Sequence, residues 1–362
     1  MTPLPYGFRL VGAFTGERRL VDWAAAFAAY AACDPRADLD REGYLSAFCY
    51  GDDFLARADE YGFVDTAGFE GACWAPYVWF DIDRAGDLDL ALVETRRLAL
   101  ALDEHLGLAR EDDLLAFLSG GKGFHLGLPT CLWAPEPSPD FHKIARRFAA
   151  RLAEVAGVGA YDPKRNSRID EAVYAKVQPF RAPNSRHKSG RYKRRLSFDE
   201  LMHLSVEGIL RLAERPEPFD IPAPDYRSER AAADWADAAR CVAQEAEARQ
   251  RHTTEGVGSP ALNRLTRDFI RSGAPEGTRH PRLFSAAANL AEFGCPPALA
   301  HALLREPALD SGLSPSDAHR VIDGGLRHGS RPGGPPTAPG DPAPAGPQAD
   351  VRAALTAAWS AQ

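Results

Sequence analysis

Tyr77-Val78-Trp79-Phe80-Asp81-Ile82-Asp83-Arg84 is the stretch whose reading decides the fold. Its alternation puts Val78, Phe80 and Ile82 on one face and Trp79, Asp81 and Asp83 on the other, the pattern of a β-strand. One face is apolar and must be buried. The other shows two carboxylates two residues apart, which repel each other unless a cation sits between them. Oxygen ligands converging from one rigid element suit Mg²⁺ or Mn²⁺.

Downstream, Ala85-Gly86-Asp87 reads as a turn. A helix follows over 88–106, with Leu90, Val93, Leu98 and Leu102 as apolar positions and Gly107 as its stop. Leu114 to Leu118 reads as a buried strand, Ser119-Gly120-Gly121-Lys122-Gly123 as a turn, and Phe124 to Pro129 as the strand leaving it. This is a β-α-β-hairpin sequence. Three glycines around a serine and a lysine leave backbone N–H groups free for an anion. Alternation turns His125 away from Phe124 and Leu126, so Ser119, Lys122 and His125 can meet beside the carboxylates. No Gly-Lys-Ser/Thr is present and no helix follows, which excludes a P-loop. Taken alone, the segment reads equally as a glycine hairpin with a solvent-facing lysine and histidine, and the aspartate pair as surface decoration.

Upstream, 20–32 has helical spacing, and Tyr44 to Tyr50 reads as a short strand ended by Gly51-Asp52-Asp53, an acidic pair better suited to a helix N-cap than to a metal. Beyond the hairpin, 140–156 reads as an amphipathic helix with Phe141, Ile144, Phe148, Leu152 and Val155 on one stripe and Ser138 as N-cap. A polar loop over 161–168 leads to Ile169-Asp170 and on to Tyr174; alone, Asp170 is an ordinary acid near a strand start. The segment 180–195 is strongly basic, with Arg181, Arg186, His187, Lys188, Arg191, Lys193, Arg194 and Arg195, and reads as a solvated loop or as a nucleic-acid contact. A helix over 197–212 opens on the capping-box-like Ser197-Phe198-Asp199-Glu200.

The expected organisation is a core over 1–213, a proline-rich linker and charged helix over 214–259, a small all-α domain over 260–329, and a Pro/Gly-rich disordered tail with a short terminal helix over 330–362. With 362 residues, 45% hydrophobic and 26% charged, the chain can bury a sizeable core. No apolar run approaches the roughly 18 residues of a membrane span, and no signal peptide is read at the N-terminus. The cysteines, 33, 49, 73, 131, 241 and 295, are scattered without a Cys-x-x-Cys pair. That pattern suits free thiols in a reducing cytoplasm and gives no zinc site. A net charge of −7 argues weakly against a chain coated in nucleic acid, although every lysine lies between Lys122 and Lys193.

The order of these parts resembles the archaeo-eukaryotic primase superfamily. An acidic pair on a strand (Phe80-Asp81-Ile82-Asp83) is followed by Ser119-Gly120-Gly121-Lys122-Gly123-Phe124-His125, and then by Ile169-Asp170 continued by Val173-Tyr174 and Phe180-Arg181. The last form looks most like the primase-polymerase branch. The likeness covers about residues 40 to 210, and the stretch from Gly277-Thr278-Arg279 to Gly325 resembles helical primase C-terminal domains of plasmids, phages and mobile elements.

The resemblance implies an α/β (α+β) catalytic core with the acidic site on an RRM-like sheet. It implies a nucleotidyltransferase that primes or extends DNA or RNA on single-stranded DNA from (d)NTPs, in replication of a mobile element or phage. By resemblance, Asp81, Asp83 and Asp170 would hold two Mg²⁺ or Mn²⁺ ions about 4 Å apart. Ser119, Gly120, Lys122, Gly123, His125 and Arg181 would bind the nucleotide. Arg186, Lys188, Arg191, Lys193 and Arg194 would contact template or primer phosphates. No helicase motif is present, so unwinding would fall to a separate helicase. The same three motifs occur in end-joining repair polymerases, which is the second reading; a non-catalytic nucleic-acid-binding replication factor is the third.

Overall fold

A computed structural model describes residues 4–12, 16–84, 86–109, 113–158, 169–254, 262–275 and 277–329. The expected loop at 161–168 and the tail at 330–362 lie outside them. The chain is mixed α+β and divides into two compact units, Met1–Ala243 and Gln244–Gln362.

The first unit lays down β1 (Tyr6–Val11), β2 (Arg19–Asp22), α1 (Trp23–Ala31), β3 (Gly43–Ser46), β4 (Cys49–Tyr50), α2 (Asp52–Leu55), β5 (Cys73–Trp74), β6 (Tyr77–Asp83), α3 (Leu88–Leu106), β7 (Leu115–Leu118) and β8 (Gly123–Pro129). It continues with α4 (Phe141–Val155), β9 (Pro179–Arg181), β10 (Arg194–Leu196), α5 (Phe198–His203), α6 (Val206–Leu212) and the start of α7 (Glu229–Thr254). One sheet runs β5-β4-β1-β3-β9 with β2 also on β1; the other runs β10-β7-β8-β6. Every pairing is antiparallel.

In the second sheet β6 and β7 both pair with β8, so they run parallel to each other with β8 between them. Helix α3 makes the crossover, a split β-α-β arrangement. Val78, Phe80 and Ile82 are buried, as are Leu98 and Leu102 of α3. Leu90 and Val93 are exposed instead, and Ala91, Leu92, Thr95 and Ala99 complete the inward face. Gly107 ends the helix at φ 63°, where its lack of a Cβ removes the left-handed penalty.

The edge of β6 away from β8 is closed by a turn. The Asp170 amide donates to the Asp81 carbonyl at 2.8 Å, and the Tyr174 hydroxyl donates to the Trp79 carbonyl at 2.5 Å. Residues 171–174 form a 3-10 turn capped by Asp170, where the sequence suggested a strand start.

Several local expectations are corrected. Arg19–Asp22 is a strand, so α1 starts three residues later than the spacing suggested, capped by Asp22. At α2 the cap is Gly51, and Asp52 and Asp53 lie in the first turn, where carboxylates suit the helix dipole. At α4 the N-terminal cap position is Asp140; the Ser138 backbone bridges Cys73 instead. The helix expected over 197–212 is two: α5 has the capping box of Ser197 and Glu200, stops at Leu204, and Ser205 caps α6. The stretch expected as a linker from 214 packs on the first unit up to Ala243. There the Phe219 amide donates to Ala31, the Ser228 amide to Leu132, and Trp235 sits against Trp133, Phe141 and Phe148. Proline-rich composition cannot tell a free tether from an extended strap laid over apolar surface.

The second unit is all-α in its described residues: α8 (Arg264–Ser272), α9 (Arg279–Glu292), α10 (Pro297–Asp310) and α11 (Pro315–Gly329). Phe269, Leu283, Leu290, Leu304 and Ile322 form its own core, while Leu265 is exposed. Among the described residues no helix is long and apolar enough to cross a membrane. All six cysteines are free thiols.

Candidate active site

The site is written into the register of β6 on β8. Asp81 lies opposite His125, and Asp83 opposite Gly123. Because side chains alternate, both acids and His125 share one face of the sheet. His125 Nε2 is 3.4 Å from Asp81 Oδ1, and Lys122 Nζ is 2.7 Å from Asp83 Oδ2. Gly123 is required by closeness: a Cβ there would run into the Ile82 carbonyl and the Asp83 carboxylate.

Asp170 joins from the far side of β6. Its amide is bonded to Asp81, and its carboxylate accepts from the Ala172 amide at 2.9 Å. All three acids are raised, chiefly by burial. Burial pushes Asp81 up to about 6 even though Lys122, Lys193 and Arg181 pull it down. Burial and the charges of Asp81 and Asp83 push Asp170 to about 6. Burial, then Asp81, raises Asp83.

Asp81 Oδ1 is buried with no hydrogen-bond partner, and so is His125 Nδ1. An orphaned carboxylate oxygen among clustered acids with raised pKa values is what the protein ligands of a cation site present. The three carboxylates are spaced more widely than 4.8 Å overall; the triad gathered within that distance among the described residues is His301, His319 and Asp323.

The glycine turn sits beside the acids. The Ser119 amide donates to the Gly123 carbonyl at 2.9 Å, and Ser119 Oγ accepts from the Gly121 amide at 3.3 Å. Gly120 has φ +83°, and a Cβ on it would meet the His187 side chain at 2.9 Å. The loop that follows β9 therefore lies on this turn, with Ser189 Oγ donating to the Gly120 carbonyl at 2.6 Å. His187 and Ser189 are neighbours that sequence reasoning did not assign to the site; the signal was the histidine inside the basic run, with nothing to pair it to the glycines 66 positions earlier.

The basic run splits. Arg186 and Lys188 are exposed and Arg191 half-exposed, on a loop pinned by the Arg186–Tyr192 bridge. Lys193 is fully buried. Its Nζ stands over the rings of Phe180, Phe117 and Trp79 at 4.2, 4.8 and 4.9 Å and donates to the Arg181 carbonyl at 2.8 Å. Arg194 is buried and paired with Glu217. Lys193 and Arg194 are therefore not phosphate contacts: Arg194 belongs to β10, and Lys193, just before it, is buried under the three rings. Arg181 is held by Glu42 and the Tyr44 hydroxyl at 3.0 and 2.9 Å, leaving it near the acids but committed to the first sheet.

His125 is buried, its ring 4.4 Å from that of Phe180. Burial, then the Lys193 charge, hold it well below the usual histidine range, so it is neutral near pH 7. It can donate or accept one hydrogen bond but brings no charge. Lys122, raised by its contact with Asp83, is the solvent-exposed cation of the site.

No family model matches the chain, and a search of curated proteins finds no match.

Proposed function

We propose that the first unit is a nucleotidyltransferase of the primase-polymerase type, extending or initiating strands on single-stranded DNA from (d)NTPs. The observation that carries this reading is the register that sets Asp81 and Asp83 against His125 and Gly123, with Asp170 bonded to Asp81 across the strand. Asp81, Asp83 and Asp170 would hold Mg²⁺ or Mn²⁺, whose chemistry there would be to offset the negative charge of the triphosphate and to lower the pKa of the attacking hydroxyl. The chain's own groups do the rest. The glycine turn and Lys122 bind the triphosphate. Neutral His125 offers it one hydrogen bond. Arg186, Lys188 and Arg191 meet template or primer phosphates. The second unit, similar in helix pattern to primase C-terminal domains, would be an accessory to this activity, with unwinding left to a separate helicase.

The test is synthesis of labelled product on single-stranded DNA, with and without primer, in Mg²⁺ or Mn²⁺, against (d)NTPs and NTPs. Template-dependent product supports the reading. A strict preference for a gap with a 5′-phosphate would move it to a repair polymerase, and template binding without incorporation to a non-catalytic factor.

A further inference from the structure

Outside the acidic face, one cluster in the second unit has the chemistry of a metal site. His301 on α10 and His319 and Asp323 on α11 bring one ligand atom each within 4.8 Å of the others. His301 Nε2 lies 2.8 Å from Asp323 Oδ1, and His319 Nε2 lies 3.4 Å from Asp323 Oδ2. The two imidazoles stack, with ring centroids 4.5 Å apart and planes 28° apart.

The helices fix this arrangement. His319 and Asp323 are four residues apart on α11, so they share one face. Their chain neighbours Ala318 and Ile322 are buried, as is Ala300 beside His301. The three ligands thus stand at the rim of a packed helix pair, half-exposed and reachable from solvent. Ligands carried by packed helices are placed more firmly than ligands on loops.

The spacing fits a small ion. Tetrahedral bonds of about 2.0–2.1 Å to nitrogen and oxygen put ligand atoms roughly 3.3–3.4 Å apart. The observed separations of 2.8 and 3.4 Å bracket that edge. Without a cation, both imidazoles must present an Nε2–H to one carboxylate. With a cation, each imidazole turns an Nε2 lone pair to the ion in place of its N–H, and the carboxylate supplies an oxygen.

We propose that His301, His319 and Asp323 bind a borderline transition-metal ion of the Zn²⁺ class. Two imidazoles and a carboxylate favour such an ion over Mg²⁺ or Ca²⁺, which prefer all-oxygen sets, and the absence of thiolate argues against softer ions. Three protein ligands leave a position for water or an external donor. The site joins α10 to α11, so occupancy stabilises the second unit. The sequence missed it because His301 and His319 are separated by the α10–α11 turn, and only the His-x-x-x-Asp half is legible on one helix.

The test is Zn²⁺ titration of the metal-free full chain by calorimetry in millimolar Mg²⁺, which keeps the acidic face supplied, with Co²⁺ absorption as a second readout. About one equivalent should bind to the wild type and raise its melting temperature. His301→Ala and Asp323→Asn should each weaken binding by more than the roughly 10–100-fold that loss of an outer partner costs, and neither should melt higher with Zn²⁺. Asp81→Asn should leave Zn²⁺ binding unchanged, whatever becomes of the proposed polymerase activity. If His301→Ala does not fold, His319→Gln at a more exposed ligand gives the same reading. Equal Zn²⁺ binding by wild type and ligand variants, which would place the ion on the cysteines or elsewhere, overturns the proposal. So does a melting temperature indifferent to Zn²⁺ in the wild type.

Discussion

Asp170 is bonded to the edge of β6 at Asp81, and burial pushes both carboxyls up to about 6, Asp170 with the added charge of Asp81. A carboxyl whose folded pKa lies above its unfolded value near 3.8 favours the folded state when protonated. That advantage is complete below pH 3.8 and is lost as pH rises through about 6. In EDTA the melting temperature should therefore fall between about pH 4 and 6. Asp170→Asn should flatten that fall and melt about 2–4 °C higher than wild type at pH 8. Mg²⁺ or Mn²⁺ should raise the wild-type melting temperature above pH 6 and have little effect below pH 5. A pH profile unchanged in Asp170→Asn would separate the acid from this coupling. At Lys193, replacing the buried amine with Lys193→Met should leave single-stranded DNA affinity and its salt dependence unchanged, because the side chain faces three rings and not solvent. A loss of salt dependence in that variant would return Lys193 to the phosphate-contacting surface.

Strand β6, helix α3 and hairpin β7–β8 were legible because each carries its own periodicity and its own stop: Gly107 for the helix, the glycines of 119–123 for the turn. Other elements were not. A run of arginines and lysines has no period, so nothing local said that Lys193 to Arg195 would be buried at and just before β10 while Arg186 and Lys188 stayed outside. Likewise Leu90 and Val93 match a helical stripe, but burial is decided by what lies opposite, and only Leu98 and Leu102 meet the sheet. The closeness of Gly123 to the β6 backbone gives an element-scale prediction. Gly123→Ala should destabilise the first unit by about 1–3 kcal/mol in urea unfolding and should displace Asp83. Gly190→Ala is the contrast: its φ of +91° costs strain, but no atom lies within 4 Å of the added methyl. Equal losses of activity in the two would mean that closeness at Gly123 does not position the acid.

At the scale of the molecule, the net charge of −7 sets a background that repels nucleic acid, so binding must come from a confined basic surface. Arg186, Lys188 and Arg191 form the loop that lies on the glycine turn. If they meet phosphates, converting all three to alanine should reduce the slope of log affinity against log salt by about 0.7 per lost contact on single strands. Filter-binding or anisotropy titrations over a range of salt measure that slope, and an unchanged slope would move the path of the strand elsewhere. The division into two units also differs from the sequence reading, because residues 214–243 go with the first. Ser228, Phe219 and Trp235 tie them down through partners far away in the chain, which local composition does not reveal.

The central claim is that Asp81 and Asp83 work as a cation-dependent pair in nucleotidyl transfer. It is tested most directly by single-turnover incorporation of a labelled nucleotide on primed single-stranded DNA in Mg²⁺ or Mn²⁺, comparing the wild type with the Asp81→Asn/Asp83→Asn double variant after both are shown to melt cooperatively. The predicted result is template-directed incorporation by the wild type and a loss on the order of 10²–10³-fold or more in the variant. Incorporation at equal rates by the two proteins, or none by a folded wild type in either metal, would contradict it.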